Sequence, residues 1–189
     1  MTGVQTCALP IYFATHGVFL GERCAAKRSV SERGVTLVGA AKAGDKNDFA
    51  TLSALAFAGA NLGGNESSND GLLTSEEIAE LDLTKTDWAV LSACETGLGE
   101  VTAQEGVLGL RRAFQLAGAR TVIMSLWRVD DRATIDFMRA LYRARLEDHA
   151  DTIAAEYAAM RETLAARRRA GVSTLPYYWA AFVAAGDWR

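Results

Sequence analysis

The chain has 189 residues, half of them hydrophobic and 23% charged, which is the size and composition of one globular domain. A net charge of −3, without a basic stripe interleaved with aromatic residues, argues against a dedicated nucleic-acid-binding protein. No apolar stretch approaches the roughly 20 residues that a membrane span needs. Three irregularly spaced cysteines, Cys7, Cys24 and Cys94, exclude a disulfide framework and a zinc-ligand pattern, so a reducing, cytoplasmic setting is the default.

Residues 1–11 read as a leader that does not belong to the domain. Residues 2–11 (TGVQTCALPI) look like the translation of a sequencing-library adapter, and Met1 looks like an alternative start. They lack the basic residue and the apolar stretch of a signal peptide. A disordered native leader is the alternative. We therefore expect the domain to span residues 12–189 and the natural chain to continue upstream.

The first predicted strand covers residues 12–15 and ends at His16 and Gly17. Residues 21–48 are polar and predict a loop, with a short hairpin over residues 35–38 as one option. Residues 39–46 resemble a phosphate-binding loop only superficially, because no lysine follows the second glycine and precedes Ser or Thr. A phosphate-binding α/β protein is therefore rejected.

The middle of the chain predicts a strand, a helix and a second strand. The first strand, over residues 52–58, consists mostly of small residues and leads into a loop over residues 59–71. Thr74 and Glu77 then form a capping-box pattern that begins a short helix. Residues 87–92 are almost continuously apolar, as in a strand of a covered parallel sheet, and this strand leads to Cys94.

The second half alternates helices and strands. Gly118 lies where a helix C-cap is expected, and either Asp130 or Asp131 caps a helix that runs to about residue 146. The other predicted elements are helices over residues 104–116 and 152–169 and strands over residues 121–127 and 177–183. This alternation predicts an α/β fold with a mostly parallel sheet flanked by helices.

The chain contains two short motifs that carry chemistry. His16 and Cys94 each follow a strand-like run and precede small residues, and together they are the minimum for a thiolate nucleophile with an imidazole base. From the residues alone, Cys94 also fits a buried small hydrophobic residue, and His16 fits a core or turn histidine. His149 lies among acidic residues and reads as a surface residue. Cys24 reads as a bystander.

Six motifs in order resemble the CHAT domain, a family related to caspases and separase and commonly fused behind tetratricopeptide repeats in bacteria. The resemblance covers nearly all of residues 12–189. The motifs are ATHG at residues 14–17, DGLLTSEEI at 70–78, LSACETG at 91–97, EGVLGLRRAF at 105–114, SLWRVDD at 125–131 and YYWAAF at 177–182.

The resemblance implies a caspase-haemoglobinase fold in which the histidine and the cysteine end neighbouring central strands. It also implies a cysteine endopeptidase that cleaves a protein substrate, needs no metal or organic cofactor, and is controlled by an upstream tetratricopeptide-repeat region. Two strands that normally precede the histidine strand are absent here. We therefore expect a bare sheet edge, poor expression and weak activity from this fragment.

The resemblance assigns roles to particular residues. Cys94 is the nucleophile, His16 the acid and base, and the backbone amides of Gly17 and Cys94 the oxyanion hole. The expected substrate pocket is formed by Glu95, Ser125, Trp127 and Asp130. Core packing is the alternative for Trp127, helix capping is the alternative for Asp130, and the role of Glu95 stays open. A second hypothesis is a caspase-like interaction or signalling module whose dyad is idle.

Overall fold

The computed structural model describes residues 10–19, 53–60, 71–92 and 102–187, with only the backbone at residue 19 and residues 102–108. Its strands are β1 (Ile11–Phe13), β2 (His16–Phe19), β3 (Ser53–Ala56), β4 (Leu72–Thr74), β5 (Trp88–Leu91), β6 (Thr121–Ser125) and β7 (Phe182–Gly186). Its helices are α1 (Ser75–Ala79), α2 (Thr102–Leu116), α3 (Asp131–Leu146), α4 (Thr152–Arg169) and a 3-10 helix, Pro176–Tyr178. The hairpin predicted over residues 35–38 lies outside the described residues.

The described strands form two sheets. Four strands pair in the order β1-β5-β6-β7, in which β1, β5 and β6 are parallel and β7 is antiparallel to β6. The other three form an antiparallel sheet in the order β2-β3-β4. The predicted α/β architecture, a mostly parallel sheet flanked by helices, is thereby confirmed.

Strand β5 lies in the middle of the larger sheet and is buried on both faces. Trp88 and Val90 belong to a core formed with α3 and α4, whereas Ala89 and Leu91 belong to a core formed with α1 and α2. Because side chains alternate along a strand, a strand covered on both faces needs an uninterrupted apolar sequence. This explains why the sequence pattern located β5 correctly.

The predicted helix caps are observed, and each depends on residues that are close together in sequence. The side chain of Thr74 accepts a hydrogen bond from the amide of Glu77, whose carboxylate accepts one from the amide of Thr74, which completes the capping box. At the start of α3 the cap is Asp130 and not Asp131, because the Asp130 carboxylate accepts from a backbone amide at 3.1 Å. Gly118 follows α2 with φ of +101°, as a C-cap glycine does.

The predicted last strand was placed too early. The aromatic run from Tyr177 begins within the 3-10 helix, and the strand itself is Phe182–Gly186. Pro176 favours the helical turn because its ring holds φ near −65°. The indole N–H of Trp127 also donates to the carbonyl of Tyr177 at 3.0 Å, which holds the turn against the end of β6. These contacts override the β propensity of the aromatic residues.

The start of β5 is connected to both helices on its face. The indole N–H of Trp88 donates to the hydroxyl of Thr152 at 3.0 Å, and the guanidinium of Arg145 lies 5.2 Å from the centre of the Trp88 ring. Arg145 also pairs with Asp87 at 2.5 Å. This cluster couples the end of α3 and the beginning of α4 to the sheet.

Helix α4 places a partly buried carboxylate against β7. Burial raises the pKa of Glu156 from 4.5 to about 7, and a hydrogen bond from the amide of Ala184 partly opposes that rise. The other carboxylate oxygen is buried without a hydrogen-bond partner among the described residues. Glu156 therefore satisfies a backbone amide of β7, the last strand of the described sheet, but it is poorly solvated when ionised.

This pKa makes stability depend on pH. Because the folded-state pKa lies above that of the unfolded chain, the contribution of Glu156 to stability is fully present below pH 4.5 and is lost as pH rises through about 7. We expect Glu156→Gln to remove this dependence and to be more stable than the wild type above pH 7. Solvent screens part of the effect, so the gain is about 1 to 2 kcal/mol.

Urea unfolding at pH 5 and pH 8 measures this difference. Glu76→Gln, at an exposed position of α1, is the control and should leave the pH dependence in place. The same pH dependence in Glu156→Gln as in the wild type would contradict the prediction.

Candidate active site

His16 lies at the junction of the two sheets. Strand β1 ends at Phe13, two residues follow, and His16 is the first residue of β2. Its side chain is exposed, whereas Gly17 is buried opposite Leu55 of β3. The sequence placed His16 just beyond the first strand, and the structure adds that it opens a strand of the second sheet.

The pairing of β1 with β5 relates His16 to the cysteine motif. Phe13 and Leu91 are register partners in parallel strands, and the amide of Ser92 donates to the carbonyl of Phe13 at 3.0 Å. Parallel neighbours lie about 4.8 Å apart and end at the same edge of a sheet. The segments that lead to His16 and to Cys94 therefore leave the sheet side by side. Cys94 and Glu95 themselves lie outside the described residues.

A second contact holds the histidine segment in place. The hydroxyl of Thr15 donates a hydrogen bond to the carbonyl of Ala56 at the end of β3. Ala56 is also the register partner of His16 in the antiparallel sheet. The pairing of β1 with β5 and the contacts of Thr15 and His16 with Ala56 thus hold the segment that carries the imidazole.

A cleft of about 410 Å³ opens beside His16. The connection from β1 to β2 forms one wall, and the segment that follows β3 forms the other. Its lining includes Phe13, Thr15, His16, Ala56, Phe57 and Ala58. The ring of Phe57 is 42% exposed and meets the ring of Phe13 edge to face, with centroids 6.4 Å apart. Apart from Thr15 and His16, the side chains that line the cleft are aromatic rings and alanine methyl groups.

The carboxyl end of β6 lies at the same edge of the larger sheet as the carboxyl ends of β1 and β5. Ser125 is buried and pairs with Phe182 of β7. Trp127 is half-buried and packs against the core formed with α3 and α4. Core packing, one of the two roles expected for Trp127, is therefore observed, while its role as a pocket wall stays a prediction.

The CHAT domain family model matches residues 7–187, which is nearly the whole chain. The chain belongs to the CHAT domain family. Curated relatives include tetratricopeptide repeat protein 28 from Homo sapiens, 32% identical over 116 residues, and its counterpart from Mus musculus, 39% identical over 75 residues. These matches cover 61% and 40% of the chain but only 4% and 3% of the relatives' own lengths.

Two further polar residues of this CHAT domain, Asp130 and His149, lie at the two ends of α3. The carboxylate of Asp130 serves as the N-cap of α3, which is the alternative that the sequence left open, and its role in a pocket is a proposal. His149 is exposed beyond the end of α3, as expected.

In the described ranges, no group of three His, Cys, Asp or Glu side chains could hold a metal ion. No helix in those ranges is long and apolar enough to cross a bilayer.

The sequence patterns missed Thr15 and Phe57. Thr15 precedes the histidine, and nothing local indicates that it bonds to a carbonyl 41 positions away. Phe57 gives a weak signal, because it is one large aromatic residue at the end of a run of small residues and just before a glycine-containing turn. Both residues line the cleft beside His16.

The turn that carries Phe57 depends on Gly71. The amide of Phe57 donates to the carbonyl of Gly71 at 2.7 Å, and Gly71 has φ of +77°. A Cβ at Gly71 would lie 2.3 Å from the backbone nitrogen of Ala60. We expect Gly71→Ala to destabilise the CHAT domain by more than about 2 kcal/mol, from backbone strain together with overpacking.

Gly171→Ala is the matched control, because Gly171 has φ of +65° but nothing within 4 Å of an added Cβ. Its cost is the conformational term alone, about 1 kcal/mol. Urea unfolding of both variants measures the difference. Equal losses of stability would show that the close approach of Gly71 to the turn is unimportant.

Proposed function

We propose that this CHAT domain is a cysteine endopeptidase that cleaves a protein substrate with a dyad of His16 and Cys94. The observation that carries the proposal is the register of β1 and β5. Phe13 pairs with Leu91, and His16 and Cys94 each follow their paired residue by three positions. Family membership supports the same chemistry, because CHAT domains are related to caspases. The exposure of the His16 side chain leaves it free to meet a substrate.

In the proposed reaction, the thiolate of Cys94 attacks the carbonyl carbon of the scissile peptide bond. The carbon–nitrogen bond then breaks, and protonated His16 gives its proton to the leaving amine. A water molecule hydrolyses the thioester after losing a proton to His16, which releases the carboxylic acid and restores the thiolate–imidazolium pair. All protons are exchanged between the dyad, the substrate and water, so no cofactor is required.

Backbone amides would stabilise the negative charge on the carbonyl oxygen in the transition state. Gly17 and Cys94 are the proposed donors, because each lies within or beside the segment that carries a dyad residue. Glu95, Ser125, Trp127 and Asp130 are the proposed pocket for the residue before the cut. The position of Ser125 and Trp127 at the carboxyl end of β6, next to β5, supports this part of the proposal.

The proposed setting is a reducing one such as the cytoplasm, because the nucleophile must stay a free thiol. We also propose that a tetratricopeptide-repeat region precedes this domain and controls it. The names of the two curated relatives support that arrangement, since both are tetratricopeptide repeat proteins and are far longer than the matched segment.

An activated thiolate makes Cys94 unusually reactive. At pH 7 we expect iodoacetamide to label Cys94 about tenfold faster than Cys24, because a neighbouring imidazolium lowers the pKa of a thiol. Mass spectrometry of a time course gives the rate at each cysteine. His16→Ala should reduce the rate at Cys94 to that at Cys24. Equal and slow labelling in the unmodified chain would favour the idle interaction module.

Removal of the nucleophile should abolish proteolysis. We expect Cys94→Ala and His16→Ala each to reduce the cleavage of a proteome-derived peptide library by about a thousandfold or more, because the two groups act as a unit. Cys24→Ala is the control and should keep full activity. Thermal unfolding verifies that the variants are folded. Persistent cleavage by folded Cys94→Ala would refute the dyad.

A further inference from the structure

We infer that the cleft beside His16 binds an uncharged apolar side chain, preferably aromatic, of the substrate residue that follows the scissile bond. This inference rests on the proposed function, since it identifies the substrate class of the same site. The cleft volume of about 410 Å³ lies within the usual range for ligand pockets, roughly 300 to 1,000 Å³. It is large enough for one aromatic side chain together with part of its backbone.

The chemistry of the walls selects the class of side chain. No described lining residue carries a carboxylate, an ammonium or a guanidinium group, and the ionisable groups are the imidazole of His16 and the phenol of Tyr12. A cationic substrate side chain would lose hydration here without a carboxylate among the described lining residues to pair with. An apolar side chain would instead remove the rings of Phe13 and Phe57 and the alanine methyl groups from water.

The position of His16 determines which substrate residue, the one before or the one after the scissile bond, is nearest to the cleft. In peptide hydrolysis the histidine protonates the leaving amine, which belongs to the residue after the scissile bond. Since His16 lines the cleft, the side chain of that residue is the one nearest to the cleft. The residue before the cut then lies toward the carboxyl ends of β5 and β6.

Phe57 is an exposed aromatic residue on a well-defined turn. Its amide is bonded to the carbonyl of Gly71, and its carbonyl accepts from the amide of Ala60 at 3.1 Å. On the opposite wall, Phe13 packs against Phe114 with ring centroids 5.2 Å apart. Both aromatic walls are therefore positioned before a ligand arrives, which reduces the entropy that binding must offset.

Binding can be measured without catalysis, because the chain contains only two histidines. His149 follows the end of α3, where Arg145 pairs with Asp87 before the start of β5, so it marks the opposite edge of the sheet from His16. We would titrate the Cys94→Ala variant with N-acetyl-phenylalanine amide and follow the ring protons of both histidines by NMR. We expect the His16 signals to shift and the His149 signals to stay.

Variants and a second probe make the test specific. We expect Phe57→Ala to weaken the binding of the phenylalanine probe about fivefold or more, because part of the apolar contact is lost. Tyr157→Ala, which removes a 60% exposed aromatic ring from α4, should leave the affinity unchanged. N-acetyl-lysine amide should bind at least about tenfold more weakly than the phenylalanine probe, because its ammonium group finds no carboxylate among the described lining residues.

Three results would overturn the inference: no shift at His16, unchanged affinity in Phe57→Ala, or equal binding of the two probes. Its failure can be told apart from failure of the proposed function. Probe binding at His16 together with slow labelling of Cys94 would keep the cleft and reject the protease. Cleavage of the peptide library without an apolar preference after the cut would keep the protease and reject the cleft.

Discussion

The parallel pairing of β1 with β5 is the constraint on which the rest of the structure depends. Strand β5 is buried on both faces, with Trp88 and Val90 in one core and Ala89 and Leu91 in the other. A shift of one residue would exchange the two sets of side chains, so packing holds the register. The register then brings the segment before Cys94 beside the segment before His16, although the two residues are 78 positions apart in sequence.

His16 lies where the two sheets meet, and each sheet helps to hold it in position. The larger sheet supplies the buried strands, and the smaller antiparallel sheet extends from His16 itself. The hydrogen bond from Thr15 to Ala56 joins the two around the cleft. An exposed imidazole on such a double attachment can meet a substrate without much movement of its backbone. The imidazole of the proposed chemistry and the cleft of the proposed apolar selectivity therefore lie at the same junction of the two sheets.

The two outer strands of the described larger sheet, β7 and β1, differ in how well their backbone groups are protected from pairing with another chain. At β7, the carboxylate of Glu156 accepts from the amide of Ala184, and burial raises its pKa to about 7. A side chain that satisfies an edge amide leaves one group fewer for another chain to pair with. At β1, no further strand pairs within the described residues, and Tyr12 is 43% exposed. Among the described residues, the sheet is thus better protected at β7 than at β1.

The sequence by itself determined the features that depend on neighbouring residues. The apolar run of β5, the capping box of Thr74 and the extents of α3 and α4 all follow from periodicity and local hydrogen bonding. Motif order also identified the family. Only the tertiary structure decided the late start of β7, the attachment of Thr15 and the cleft beside Phe57. Each of these depends on contacts between residues tens of positions apart. A local sequence pattern does not indicate which distant carbonyl or ring a side chain will contact.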